Sequence, residues 1–186
     1  GETVQTSDGG YAISGDTNSF GAGGVDFWLV KTDVSGNMEW NKTYGGVLDE
    51  TSGDMCQTTD GGYALAGSTE SFGAGGADFW LVKTGADGLA HWSKTYGGTD
   101  FDFAMSVVQT PDRGYALFGV TESFGAGGQD FYLVKTDEAG NMEWSKTYGG
   151  IGDDYGTSVV RSSDGGYAMA GYTNSFGAGN NDFWLV

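Results

Sequence analysis

Tyr11, Tyr63, Tyr115 and Tyr167 stand 52 residues apart, and so do Phe27, Phe79, Phe131 and Phe183. No insertion or deletion breaks the register, so the 186-residue chain divides into units 1–52, 53–104, 105–156 and an incomplete 157–186. A unit of this size cannot bury its apolar surface alone, and a repeat of such units points to a propeller, a solenoid or an array. The copies are nearly identical, so a residue present in all of them can reflect duplication, and repetition alone marks no functional site.

Within a unit the pattern predicts four short strands, A to D. In the first unit these run Thr3 to Ser7, Tyr11 to Thr17, Asp26 to Thr32 and Met38 to Tyr44. Asp8-Gly9-Gly10 joins A to B, and Asp33 to Asn37 joins C to D, both with residues that accept the positive φ of tight hairpin turns. Composition agrees: 27 aromatics and 36 glycines with the single proline Pro111 suit turned β structure better than helix. Strand C carries Phe27 and Leu29 on one side and Trp28 and Val30 on the other, so both faces of each sheet need a neighbour. Strand B leaves small residues, Ala12 and Ser14 or Ala64 and Ala66, for the next sheet to settle against. The expected fold is all-β: a propeller, or propeller-like array, of four-stranded antiparallel blades, the last lacking its outermost strand.

The segments TTDGGYALAGSTESFGAGGADFWLVKT, MEWSKTYGG and GDDYGTSVV resemble the β-propeller repeat of secreted and surface proteins of bacteria and archaea, over essentially the whole chain. The hairpin YLVKTDEAGNMEW is similar to one element of quinoprotein-type propellers. The first resemblance implies a blade whose first strand lies nearest the axis and whose fourth lies outermost. It implies no particular chemistry, because propellers host many functions.

GAGGVD, Gly21 to Asp26, is not a nucleotide loop: it lacks the third glycine of GxGxxG, no Gly-Lys-Ser/Thr follows, and no helix begins after it. It is closer to the calcium nonapeptide, but that motif must recur every nine residues and this one recurs every 52. The glycines are therefore expected to fold a loop over the blade edge, with Phe20 as its anchor. Alternating strand direction puts these B–C loops and the D–A connections on one face. That face collects Asp26, Asp78, Asp130 and Asp182 with Glu50, Asp102 and Asp154, and with Asp49, Asp100 and Asp153. Such acids form either a solvated rim or oxygen ligands for calcium or a similar hard cation.

The six lysines fall at two repeated positions. Lys31 is expected opposite Glu39 and Lys135 opposite Glu143, as cross-strand pairs; in the second unit Lys83 meets His91, the lone histidine, read as a drifted surface position. One histidine and one cysteine, Cys56, build no Ser-His-Asp or Cys-His set, no CxxC pair and no disulfide. Repeated acids give every blade the same carboxylates, whereas a glycosidase site breaks symmetry. Asn41-Lys42-Thr43 is a glycosylation sequon in one unit only.

A net charge of −17 opposes nucleic-acid backbones and anionic membrane surfaces and favours cations and cationic partners. Nothing reads as a membrane-spanning helix, signal peptide or lipid anchor, and the start at Gly1 without methionine fits loss of upstream sequence. The expectation is a non-enzymatic extracellular or cell-surface module that presents loops to glycan, protein or cation. The alternative is a building block of a filament, sheath or surface layer; a quinoprotein-like or polysaccharide-acting enzyme ranks below both. Asp182, Phe183, Trp184, Leu185 and Val186 form a strand C with no strand D beside it, an edge expected to meet more of the same protein. Four blades could close a ring; eight from two chains is the other closed form considered.

Overall fold

The computed structural model describes residues 1–186, with fifteen strands and no helix. The first sheet contains β1 (Thr3–Gln5), β2 (Tyr11–Thr17), β3 (Asp26–Thr32) and β4 (Met38–Tyr44). The second contains β5 (Glu50–Gln57), β6 (Tyr63–Thr69), β7 (Asp78–Thr84) and β8 (Ala90–Tyr96). The third contains β9 (Asp102–Gln109), β10 (Tyr115–Thr121), β11 (Asp130–Thr136) and β12 (Met142–Tyr148); the fourth has only β13 (Asp154–Arg161), β14 (Tyr167–Thr173) and β15 (Asp182–Leu185). Strands within each sheet are antiparallel and in chain order.

The turn chemistry of the sequence produces this meander. Gly9 and Gly36 sit at φ 87° and 84°, where a β-carbon would be strained. The first A–B turn begins earlier than the sequence suggests. Thr6 and Ser7 leave the strand because Thr6 N–H donates to Gly10 O and Gly9 N–H to Thr6 O, so β1 ends at Gln5.

Three apolar clusters join the sheets in a row, the first to the second, the second to the third and the third to the fourth. At each seam the odd face of one strand C meets the even face of the next: Phe27 packs on Trp80, Phe79 on Tyr132 and Phe131 on Trp184, with ring centroids 4.8, 5.1 and 4.6 Å apart. Sheets two and three have neighbours on both sides, so every residue of β6, β7, β10 and β11 is buried. The innermost strands β1, β5, β9 and β13 approach one another in succession, which places strand A nearest the axis.

The row does not close on itself, so the four-blade ring considered from the sequence is corrected to an open array. Ile13 is 40% exposed while its equivalents Leu65 and Leu117 are buried, and Phe183 is 75% exposed while its equivalents Phe27, Phe79 and Phe131 are fully buried. Three steps from sheet to sheet along the inner strands do not bring the fourth back to the first.

Candidate functional site

Each seam has a loop face and a hairpin face. On the loop face, Gly21 and Gly23 take φ of 108° and 101° and let the B–C loop double back onto its own strand. Asp26 Oδ2 then accepts from Ala22 N–H at 2.9 Å. Asp78, Asp130 and Asp182 hold Ala74, Ala126 and Ala178 in the same way. Phe20 packs on Trp28 with centroids 6.0 Å apart but stays 62% exposed, so it braces the loop from outside. Adjacent connections are laced to these loops. Glu50 N–H donates to Val25 O at 2.7 Å, and Asp49 Oδ1 accepts from Val25 N–H at 2.8 Å.

The carboxylates expected on this face are there, divided into a buried set and an exposed one. Asp26, Asp78, Asp130, Glu50, Asp102 and Asp154 are all buried, while Asp49, Asp100 and Asp153 are exposed. The buried six come in three pairs, each closing over a glycine of the D–A connection. A β-carbon on Gly45 would lie 1.7 Å from Asp26 Oδ1 and 2.4 Å from Glu50 Oε2. Gly97 stands likewise under Asp78 and Asp102, and Gly149 under Asp130 and Asp154. Asp182 has no such partner, and no three His, Cys, Asp or Glu side chains gather where they could hold a metal ion. Each pair supplies at most four of the six to eight oxygens that calcium takes, so backbone carbonyls or water would have to supply the rest of any such shell.

The pairs brace the seam. Glu50 accepts from Gly46 N–H and the Thr69 hydroxyl, both at 2.7 Å. Asp102 accepts from Gly98 N–H and the Ser123 hydroxyl, and Asp154 from Gly150 N–H and the Thr173 and Ser175 hydroxyls. Burial, with the neighbouring carboxylate adding to it, raises Asp26, Asp78 and Asp130 above the ordinary carboxylate range.

The hairpin face holds what the sequence reading missed. Lys31, Lys83 and Lys135 are buried, and each amine is held by the aspartate of its own A–B turn: Asp8, Asp60 and Asp112, all at 2.9 Å. Lys31 also reaches Glu39, and Lys135 Glu143, at 2.8 Å, so the expected pairs form. They form through a bulge: Lys31 lies opposite Trp40 and Thr32 opposite Met38, leaving Glu39 as the extra residue, and His91 and Glu143 occupy the same place in β8 and β12. Burial opposes the charge on Lys31 and Lys135, but the two carboxylates outweigh it and raise both. Lys83 and His91 do not pair as expected; Asp60 is the one carboxylate on Lys83.

Two further devices tie neighbouring blades on this side. Gln57 Oε1 accepts from Ser7 N–H at 3.0 Å and Gln109 Oε1 from Thr59 N–H at 2.9 Å, while the third seam has Pro111, which has no N–H, and Arg161 in these places. Tyr44 and Tyr96 donate their hydroxyls to Gly88 O and Gly140 O at 2.7 Å. Of the terminal edge residues, Phe183 and Leu185 present an exposed face, whereas Trp184 and Val186 turn inward onto the third cluster. Val186 continues the ladder through mutual backbone bonds with Met169.

No protein-family model matches the chain, and no curated protein matches it either.

Proposed function

We propose that the chain is a non-enzymatic repeat module of the extracellular or cell-surface kind, one that presents its loops and hairpins to glycan or protein, in line with its resemblance to the propeller repeat. The observation that carries this reading is the seam, built three times on the same side chains, with a recess on the hairpin face of the second and of the third. Fixed recesses flanked by charged turns suit recognition by surface complementarity. Immobilised chain is expected to retain glycan or surface protein from a cell-surface extract. Retention of nothing, together with turnover of a substrate, would sink this reading.

A second reading, a building block of a filament, sheath or layer, is favoured by the two open end faces. The face that exposes Phe183 and Leu185 carries the residues which, one blade earlier, cover Trp184, and the face that exposes Tyr11 and Ile13 carries those that Phe27 and its equivalents would meet. Sedimentation is expected to show association that grows with concentration, and a monodisperse monomer at millimolar chain would remove this reading.

A further inference from the structure

The hairpin-face recess between the second and third sheets departs from the repeat, and the departures converge. It is a cavity of about 450 Å³, within the size range of small-ligand pockets. Lys83, His91, Arg113 and Glu138 line it, with Trp92 and Tyr115 as aromatic walls whose centroids are 5.8 Å apart. In the flanking blades the bulge residue is Glu39 or Glu143, which closes the lysine with a second carboxylate. Here it is His91, and the buried Lys83 amine keeps Asp60 alone. In the other A–B turns the second turn residue is Gly9, Gly61 or Gly165 at φ between 84° and 92°. Here Arg113 takes that conformation at φ 65°, the only residue other than glycine to do so, and holds its guanidinium over Glu138 at 3.0 Å. Backbone strain kept where three equivalent turns use glycine is a mark of a functional demand.

We propose that this cavity is a binding site for a carboxylate-bearing sugar, a uronate unit of an acidic glycan. The inference rests on the module reading above and names its site and ligand class. Lys83 and Arg113 are each held by one carboxylate, Asp60 and Glu138, so the cavity presents two cations of which the more exposed, Arg113, is the one a ligand carboxylate can reach. Glu138 lies exposed on its turn and can swing clear of Arg113, whose planar fork then takes the carboxylate in two parallel hydrogen bonds. Trp92, half-buried and backed edge-on by Tyr115, offers its ring to the apolar side of the sugar.

The repeat supplies the test. His91→Glu with Arg113→Gly rebuilds this seam with residues that the neighbouring blades already carry, so the double variant is expected to fold and to melt no lower than the parent. The probe is a galacturonate trisaccharide, with the neutral galactose trisaccharide beside it, titrated by calorimetry. The parent is expected to bind the acidic sugar at least tenfold more tightly than the neutral one, and the double variant to lose at least tenfold of that binding. Glu39→His with Gly61→Arg should install a second site at the first seam and raise the stoichiometry towards two. Equal binding by parent and double variant overturns the site while leaving the module reading intact. Binding of neutral and acidic sugar alike overturns the ligand class, and failure of the parent to retain any glycan or surface protein overturns the module reading with it.

Discussion

Cys56 shows how far a residue's surroundings govern its chemistry here. It is a free thiol packed against the second seam, and burial pushes it up to about 12. Little thiolate is therefore present at neutral or mildly alkaline pH. Alkylation of the native protein at pH 8 is therefore expected to run far slower than in denaturant, as a thiol-reagent time course will show; equal rates would contradict the burial. The carboxylates predict a second behaviour, with two opposing signs. Asp26, Asp78 and Asp130 have folded values raised by burial, so the stability they contribute is full below the unfolded value and lost as pH rises through the folded one. Asp112 is held at about 2 by hydrogen bonds from the Thr110 hydroxyl and Lys135, so its contribution is present above the unfolded value of 3.8 and lost as pH falls towards 2. Thermal unfolding followed from pH 7 to pH 2 is expected to show a melting temperature that rises towards about pH 4 and then drops.

At the scale of the element, one side chain in two settings reads out the packing. Phe79 and Phe183 occupy the same place in β7 and β15, yet the first is fully buried and the second 75% exposed. Phe79→Ala is expected to cost about 3–5 kcal/mol in urea denaturation, and Phe183→Ala to stay within about 0.5 kcal/mol for the monomer. Much of this level was legible beforehand. Strands B, C and D of the first unit match the sequence reading residue for residue, because Asp-Gly-Gly and Asp33 to Asn37 fix both hairpins by local turn chemistry. The site was less legible. The acids were placed on the correct face, but their burial depends on the B–C loops and D–A connections folding over them in three dimensions, which no local pattern reports. The Lys31–Asp8 pair spans 23 residues and two strands. A signal was present all the same: Asp8, Asp60 and Asp112 recur in step with Lys31, Lys83 and Lys135. Regular cross-strand pairing gives His91 a surface position, and only the bulge turns it towards the cavity.

For the whole molecule, the glutamine clamp of the first two seams gives a blade two unlike sides. Gln5 occupies the place of Gln57 and directs its amide N–H to Gly9 O, as Gln57 does to Gly61 O, and it stands on the open side of the first sheet. At the other end Ser163 stands where Ser7 and Thr59 stand, on the open side of the fourth. The two ends are thus unlike halves of one joint, and neither fits a second copy of itself. Copies that meet in this way do so head to tail, not through a self-matching patch, so the resulting thread has a direction and ring closure or indefinite growth are its two fates. A change at Gln5 carried by every copy would remove the same hydrogen bond from every such joint, not from one end alone.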